Sequence, residues 1–397
     1  MSGDLFIHNA RLPDGRIGDV EISAGLISRI GPRLDPVQAN VERVDAEQAL
    51  LLPGFVDGHM HLDKSLYGLP WVPHRAGPAV SEKIEAEKEI LKEFNISVED
   101  QAARLIRLAI SKGTTHIRTH VDIDTEKGLR HLEGVLAACE TLKEAVSIQF
   151  VAFPQSGVMR DPGTAELLEE ALRSGADLVG GVDPAGIDSD PKGQLDAIFG
   201  IAQRHGVGVD IHLHDPGELG LHQIGLIARY TQEHGLGGRV VVSHAFSLGT
   251  LEAPRIAPMG EMLAENGIAI MTTGFAHTPV PPVHGLLEAG VTVFAASDNI
   301  RDSWSPFGNA DQLERAMMVA QRFNSRTDQG LEEAFSLVTH GGARALGLEH
   351  YGLNPGCGGD AVLVEGTCIP EAVVTRPPRK LVVKAGKVVA RDGVCLV

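Results

Sequence analysis

The segment PGFVDGHMHLD, residues 53–63, is the most informative part of this sequence, because it places two histidines one residue apart at the end of a short apolar run. In a β-strand the side chains of residues i and i+2 point to the same side, so His59 and His61 can reach one cation together. Neutral imidazoles completed by a carboxylate are typical ligands of zinc or ferrous iron. The segment therefore predicts a strand that ends in a metal site.

Further apolar runs of the same kind follow along the chain. Counting the first, the short runs rich in β-branched residues cover residues 51–57, 115–121, 147–153, 177–182, 208–213, 239–243, 268–272 and 292–296. Segments with helical periodicity separate many of them, for example 98–111, 164–174, 195–205 and 311–321. Strands that alternate with helices pair in parallel, and eight of them can close into a barrel. The predicted fold class is therefore α/β, a TIM (β/α)8 barrel.

The two ends of the chain carry a different pattern. Residues 4–52 alternate apolar and polar positions around turn signals such as P-D-G and S-A-G, and the segments AVLVEG and KLVVKAGKVVARDGV after residue 360 do the same. This alternation is typical of short antiparallel strands. We expect the ends to pair into a small composite β-sandwich, with predicted boundaries at residues 1–52 and 348–397 for its two parts and 53–347 for the barrel.

Composition and charge disfavour several classes of function. Of the 397 residues, 43% are hydrophobic and 22% are charged, which is ordinary for a soluble globular protein. The 52 acidic residues exceed the 35 Lys and Arg residues and give a formal charge of −17, which disfavours nucleic acid and anionic membranes as partners. The four cysteines form no C-x-x-C pair and the N-terminus has no secretory pattern, so we expect reduced thiols and a cytoplasmic location.

Three more predicted strands end in residues with metal-binding chemistry. His212 belongs to the fifth run, His244 follows the sixth and Asp298 follows the eighth. Reacting groups in a TIM barrel come from the C-terminal ends of the strands. A lone histidine is more often a hydrogen-bonded or exposed side chain, but a set in which each member ends its own strand indicates one shared active centre.

Several motifs, in the same order, are similar to those of a known family. The chain resembles bacterial cytosine deaminase and related N-heterocycle members of the amidohydrolase superfamily in PGFVDGHMHLD, THIRTHVD, VAFPQSG, the D-I-H segment from Asp210, the S-H-A segment from Ser243 and SDNIRDSWSPFGNA. The similarity extends through most of residues 51–350. The resemblance implies a metal-dependent hydrolase that uses one divalent ion, Zn2+ or Fe2+, to attack a non-peptide carbon–nitrogen bond of a small nitrogen heterocycle.

The resemblance also implies roles for individual residues. The metal ligands that it implies are His59, His61, His212 and Asp298. His244 would polarise the attacking water, Gln155 would hydrogen-bond the substrate ring, and Asp298 would also move protons. No lysine ends the third or fourth run, where members of the superfamily with two ions carry a carbamylated lysine, so we expect a single metal ion.

Two positions depart from the family pattern. Cytosine deaminase has a glutamate three positions after the strand-five histidine as its proton shuttle, whereas this chain has Asp215, which reaches one methylene less far. Asn299 replaces the aspartate that follows the metal-binding aspartate, and its amide can donate as well as accept hydrogen bonds. We expect Asp215 to be the catalytic shuttle, although an aspartate here could instead cap the following helix. Glu218 is the reserve candidate, and His214 could orient Asp215 or the substrate.

Three residues are predicted to contact the substrate. Gln155 offers a donor and an acceptor to an amide edge, Trp304 could stack on a flat ring, and His277 follows the seventh run. Their alternatives are turn stabilisation for Gln155, core packing for Trp304 and a position outside the pocket for His277. We interpret His116 and His120 as barrel-packing or supporting groups rather than as ligands.

The leading hypothesis is hydrolytic deamination of an amino-substituted pyrimidine, purine-like or triazine ring, with release of ammonia. The same site could instead remove an N-alkylamine, as in relatives that resemble N-isopropylammelide amidohydrolase, or open a cyclic amide. A non-catalytic metal- or ligand-binding barrel is a third hypothesis, because Asp215 and Asn299 depart from the family. We expect a small-molecule heterocycle as the partner, no nucleic acid or membrane, and a homo-oligomer.

Overall fold

The N-terminal segment forms short strands that lie outside the barrel. The computed structural model describes residues 3–37, 40–75, 77 and 79–397. The first strands are β1 (Leu5–Arg11), β2 (Ile17–Ser23), β3 (Leu26–Gly31), β4 (Glu42–Asp45) and β5 (Leu50–Pro53). Strands β1, β2 and β3 pair antiparallel, as expected for short segments joined by tight turns.

A parallel barrel follows. Among the described residues its eight strands are β6 (Phe55–Met60), β7 (Thr114–Asp122), β8 (Ser147–Phe153), β9 (Leu178–Val182), β10 (Gly208–His212), β11 (Val240–Ser243), β12 (Ile268–Thr272) and β13 (Val293–Ala295). Each strand pairs in parallel with its neighbour in the chain. A bridge between Met60 and Asp298 joins the last strand to the first, and the Asp298 amide donates to the His59 carbonyl over 2.8 Å. The barrel therefore closes at the C-terminal ends of β6 and β13.

Helices cover the outside of the barrel. They are α1 (Val80–Glu93), α2 (Val98–Ser111), α3 (Arg130–Leu142), α4 (Thr164–Arg173), α5 (Pro191–His205), α6 (Gly217–Glu233), α7 (Ala253–Glu265), α8 (Val283–Glu288), α9 (Gln312–Arg322), α10 (Asp328–Ser336), α11 (Gly342–Ala345) and α12 (Ile369–Thr375). Helix α2 illustrates the local rules, since Ser97 caps its first turn and its buried face carries Leu105, Ile106 and Ala109. These faces pack against the barrel strands in one large apolar core.

The C-terminal strands complete the outer sheet. They are β14 (Ala361–Val364), β15 (Arg379–Lys384), β16 (Lys387–Arg391) and β17 (Val394–Cys395). Strand β14 pairs antiparallel with β5, with Ala361 opposite Pro53, and so joins the two ends of the chain in one sheet. The predicted TIM barrel with a composite β-sandwich from the termini is confirmed; the domain boundaries at residues 52 and 348 stay predictions.

The first predicted strand needs a correction. The run 51–57 is two elements, because β5 ends at Pro53 in the outer sheet and β6 begins at Phe55 in the barrel. Gly54 lies between them, and a Cβ atom at this position would lie 2.3 Å from Thr115 Oγ1 on β7. A side chain at residue 54 would therefore require Thr115 to shift, which glycine avoids. The other seven strands agree with their predicted ranges to within one residue at either end.

Within the described part of the chain, no helix is both long enough and apolar enough to span a membrane.

Candidate active site

The two histidines of the HMH motif lie inside the barrel at the end of β6. His59 and His61 are both buried, at 0% and 4% exposure. His59 Nδ1 lies 3.0 Å from the hydroxyl of Ser243, and that hydroxyl donates its only proton to Asp210 over 2.7 Å. His59 Nδ1 must then be the donor to Ser243, so the lone pair is on His59 Nε2. The protein therefore prepares His59 to bind a cation through Nε2.

The other three predicted residues meet this pair. His212 ends β10, His244 follows β11 and Asp298 follows β13. The ring centroids of His212 and His244 lie 4.6 and 5.2 Å from that of His59, and Asp298 Oδ1 lies 3.4 Å from His61 Nε2. His244 and Asp298 adopt φ values of 69° and 60°, which are costly for residues other than glycine and cluster at functional sites. The structure thus brings all five side chains together.

The donor set fits a divalent metal ion. Buried ring nitrogens without a hydrogen-bond partner among the described residues are His59 Nε2, His61 Nδ1, His120 Nδ1 and Nε2, His212 Nδ1 and Nε2, and His244 Nε2. Two groups of buried ligand atoms converge here, one from His59, His61 and His212 and one from His59, His244 and Asp298. Burial lowers the pKa of His212 and His244, so both imidazoles are neutral and keep a lone pair. A cation would satisfy nitrogens that are otherwise expensive to bury.

His120 lies directly behind these ligands. Its ring centroid is 4.0 Å from that of His59, and its Nε2 lies 3.4 Å from Asp210 Oδ1. Burial among other imidazoles lowers its pKa to about 3, so it packs as a neutral ring. His116, four positions earlier on β7, contacts Asp360 of the outer sheet over 2.8 Å. The contact with Asp360 gives His116 a supporting role, whereas His120 also belongs to a group of buried ligand atoms with His59 and Asp210, so its assignment as a supporting group stays a prediction.

A cavity of about 590 Å³ opens above the histidines. Its polar lining includes His61, Lys83, Gln155, His212, His214, His244, His277, Asp298 and Asn299. Its apolar lining includes Val80, Ile84, Phe153, Val182, Phe246, Phe275, Trp304 and Phe307. The volume suits a small molecule, and the mixture of a polar floor with aromatic walls is typical of sites for flat heterocycles.

The three residues predicted to contact the substrate all line this cavity. Gln155 Oε1 accepts a hydrogen bond from Lys64 over 2.7 Å, and Gln155 Nε2 donates to Glu87 over 3.0 Å. Trp304 donates its indole N–H to the same carboxylate over 2.7 Å. Because this donor is already used, Trp304 can contact a ligand with the face of its ring. His277 stacks on Phe275 at the rim, with ring centroids 5.3 Å apart.

Asn299 also lines the cavity, and a buried acid supports it. Asn299 Nδ2 donates to Asp302 over 2.6 Å, and Asp302 accepts from the backbone amides of Trp304 and Ser305 over 2.8 and 2.9 Å. Burial raises the pKa of Asp302 to about 7 in spite of these bonds. The loop that carries Asn299 and Trp304 is therefore organised around Asp302.

Asp215 does not belong to the lining of the cavity. Its carboxylate accepts from the Gly186 amide over 2.9 Å and from Gln223 of α6 over 2.8 Å. Asp215 therefore ties the loop after β9 to α6 rather than capping that helix, which begins after Pro216 without a side-chain cap. The reserve candidate Glu218 is exposed and pairs with Arg255. The shuttle role of Asp215 stays a prediction, and neither Gly186 nor Gln223 is among the residues that line the cavity.

His214, and not Asp215, lines the cavity. Its Nδ1 lies 2.7 Å from Asp183 Oδ2, and its ring stacks on His244 with centroids 4.5 Å apart. Burial opposes a charge on His214, but the carboxylate of Asp183 outweighs it and raises the pKa. His214 thus adds a hydrogen-bonding imidazole to the cavity, beside the metal cluster.

Sequence reasoning missed Lys64 and Glu87. Lys64 follows the HMH motif by three residues, is 1% exposed and contacts Asp122 as well as Gln155 over 2.7 Å. Glu87 lies on the buried face of α1 between Ile84 and Ile90. The spacing of these two isoleucines was the available signal, because it places Glu87 on the apolar side of the helix.

Comparisons with known proteins agree with this geometry. The model of the amidohydrolase family matches residues 42–390. A solved structure of N-isopropylammelide isopropylaminohydrolase from Burkholderia multivorans is 45% identical, has a TM-score of 0.95, and is aligned over 99% of this chain and 100% of that chain. N-isopropylammelide isopropyl amidohydrolase from Pseudomonas sp. strain ADP is 34% identical, over 98% of both chains. 5-Methylcytosine deaminase from Klebsiella pneumoniae is 27% identical with a TM-score of 0.84, over 97% of both chains.

The family match covers most of the chain, and the similarity to the Pseudomonas protein extends over nearly its whole length. Within the described residues, the metal-binding cluster lies where this family's barrel is expected to carry its chemistry. The chain therefore belongs to the amidohydrolase family and is a hydrolase of carbon–nitrogen bonds other than peptide bonds.

Proposed function

We propose that this enzyme hydrolyses the bond between a triazine-type ring carbon and an exocyclic N-alkylamino group, and that it releases the alkylamine. Two relatives named for N-isopropylammelide support this choice, at 45% and 34% identity over nearly the full chain. The observation that carries the proposal is the convergence of unpartnered imidazole nitrogens and Asp298 at the floor of an aromatic-walled cavity. Release of ammonia, which the sequence alone favoured, becomes the second candidate.

One divalent ion, zinc or ferrous iron, is part of the proposal. Its ligands would be His59, His61, His212 and Asp298, and neutral imidazoles with a carboxylate suit both metals. When bound, such an ion acts as a Lewis acid and lowers the pKa of a coordinated water toward ~7. His244 lies beside these ligands as a neutral imidazole that can accept a hydrogen bond at Nε2.

The reaction exchanges a carbon–nitrogen bond for a carbon–oxygen bond. Water oxygen adds to the sp² ring carbon, one of its protons moves to the exocyclic nitrogen, and the carbon–nitrogen bond then breaks with departure of the neutral amine. Polar side chains that line the cavity must hold and deliver this proton. Asp298, His244 and His214 line it, whereas Asp215 does not, so we assign the proton path to the lining residues.

Substrate binding divides between polar and apolar walls. The Gln155 amide can hydrogen-bond the ring edge, and Trp304 and His277 can lie against the ring or its substituent. Ile84, Phe153 and Val182 form an apolar cluster packed against Trp304. An N-alkyl group would bury its carbons there, at about 25 cal/mol for each Å² removed from water.

A product assay tests this proposal. Purified enzyme loaded with zinc or ferrous iron is given N-isopropylammelide, its unsubstituted amino analogue and cytosine, and both alkylamine and ammonia are quantified. We expect alkylamine release to be fastest and to disappear in Asp298→Ala. Ammonia release from the amino rings alone would instead establish the deaminase, which the 27% identical 5-methylcytosine deaminase favours. Metal binding without turnover of any ring would contradict both enzymatic candidates.

A further inference from the structure

Helix α1 buries a carboxylate against the side of the substrate cavity. Glu87 is 1% exposed, although α1 otherwise carries its other glutamates and lysines at more exposed positions. Glu87 Oε2 accepts from Trp304 Nε1 over 2.7 Å and from Gln155 Nε2 over 3.0 Å. The same oxygen lies 3.3 Å from Lys64 Nζ, and Glu87 Oε1 accepts from Lys127 Nζ over 3.1 Å. One side chain therefore contacts two of the proposed substrate-binding residues and two buried cations.

We propose that Glu87 is a positioning residue that fixes the amide orientation of Gln155 and the ring position of Trp304, and thereby sets which heterocycle the cavity accepts. This inference rests on the proposed function, in which Gln155 and Trp304 contact the ring.

The neighbours of Gln155 permit one amide orientation. A lysine ammonium has donors and no acceptor, whereas an ionised carboxylate has acceptors and no donor. Gln155 Oε1 must face Lys64, and Gln155 Nε2 must face Glu87, because the flipped amide would set donor against donor and acceptor against acceptor. The remaining lone pair on Gln155 Oε1 and the remaining N–H on Nε2 then have fixed positions toward the cavity. A ring edge with the complementary order is favoured over its mirror pattern.

The position of Trp304 is fixed by the same helix. Its indole N–H is used by Glu87, so the edge of the ring is anchored, and its body packs with Ile84 of α1 in the apolar cluster of the cavity wall. Lys83 of α1 lies over the ring, with Nζ 5.6 Å from the centroid. Three residues of one helix, Lys83, Ile84 and Glu87, therefore hold this aromatic wall.

Residue 87 needs two acceptor oxygens, because hydrogen-bond donors lie on both sides of it. A carboxylate has two such oxygens, and a neutral amide has one. Lys64 and Lys127 are both buried, and both also contact Asp122. A glutamine at residue 87 has one acceptor oxygen for partners on both sides. If that oxygen faced Lys127, the amide N–H groups would face the donors of Gln155 and Trp304. If the oxygen faced Gln155 and Trp304, the amide N–H groups of residue 87 would face the ammonium of Lys127.

The test compares Glu87→Gln with a matched control on the same helix, Glu89→Gln, whose side chain is exposed. Both are made in a Trp71→Phe background, since the sequence has two tryptophans and Trp71 is 68% exposed. Trp304 is then the sole tryptophan and its emission reports its surroundings. Steady-state kinetics with N-isopropylammelide, metal content and acrylamide quenching of Trp304 are measured for each variant.

We expect Glu87→Gln to raise KM by about tenfold or more, as for the loss of one charged hydrogen bond, while kcat changes by less than about threefold. Metal content should stay at the control value, and Trp304 emission should shift and become easier to quench. Values equal to those of Glu89→Gln would overturn the inference. A fall in kcat and metal content at unchanged KM would also overturn it, because Glu87 would then act on the metal centre.

A second variant covers the case in which Glu87→Gln does not fold. Glu87→Gln with Lys127→Gln removes one buried charge of each sign, and we expect this pair to fold and to show the same rise in KM and the same change in Trp304 emission. Normal KM and emission in the folded pair would refute the role of Glu87. The fluorescence comparison needs no turnover, so it tests Glu87 even if wild-type enzyme hydrolyses no triazine and the proposed function fails.

Discussion

Ser243→Ala tests whether the protein orients His59 for a metal ion. The Ser243 hydroxyl is fully buried, lies 3.0 Å from His59 Nδ1 and donates to Asp210 over 2.7 Å. The substitution removes the acceptor for the Nδ1 proton, so the proton can move to Nε2, where it would block the lone pair that faces the cluster. Loss of such an outer hydrogen bond typically weakens metal binding by about 10- to 100-fold, or about 1.4 to 2.8 kcal/mol.

The assay is a competition for zinc between the protein and a chromophoric chelator, with circular dichroism as a check on the fold. Ser247→Ala is the control, because Ser247 is also fully buried and its hydroxyl has no hydrogen-bond partner in the part of the chain that the structure describes. We expect the zinc Kd of Ser243→Ala to rise by about 10- to 100-fold and that of the control to stay within about twofold. Equal affinities in the two variants would refute the orientation of His59 through Ser243 and Asp210.

Three further outcomes are expected. Dialysis of wild type against a chelator should abolish hydrolysis, and zinc or ferrous iron, but not magnesium, should restore it, as measured by amine release. His214→Gln should lower kcat by about 100-fold and Asp215→Asn by less than about tenfold, because His214 lines the cavity and Asp215 does not. If steady-state kinetics gave the reverse order, the proton path would belong to Asp215. Burial raises the pKa of Asp360, but its hydrogen bond to His116 and the charge of Lys384 outweigh this and hold the pKa at about 2. The lowered pKa means that ionised Asp360 stabilises the folded protein by about 2 kcal/mol. This stabilisation is complete above the unfolded pKa near 4 and is lost as the pH falls toward 2. Asp360→Asn should therefore lower the free energy of unfolding in urea titrations at pH 7, and should lower it progressively less below pH 4.

The fold and the metal cluster could be predicted because both follow from periodic patterns. Alternation within a strand places His59 and His61 on one side, and the ends of parallel strands meet at one face of a barrel, so His212, His244 and Asp298 had to lie nearby. The positions of these residues follow from the strand order and the direction of each strand alone. They do not depend on how any single loop folds.

Asp215 could not be placed in this way, because a residue beyond the last paired position takes its direction from tertiary contacts. Its contacts are the Gly186 amide and Gln223, 29 residues before and 8 residues after it in the chain. Glu87 was missed for a different reason. A glutamate in a helix rich in Glu and Lys is expected in solvent, and its burial becomes favourable only when Lys64 and Lys127 arrive from other elements.

Closure of the barrel also brings together the proposed metal ligands. His59 lies on the first strand, His61 directly follows that strand and Asp298 follows the last one. The hydrogen bond from the Asp298 amide to the His59 carbonyl joins the two strand ends at the residues that would hold a cation. Asp298 reaches this place only with φ at 60°, a conformation that costs of order 1–3 kcal/mol in a residue other than glycine. The closing hydrogen bond and the imidazoles around the carboxylate offset that cost in the folded barrel, whereas an isolated strand end offers neither. The proposed site is therefore assembled by the completed fold, since His59 and Asp298 are 239 positions apart in the chain and only closure makes them neighbours.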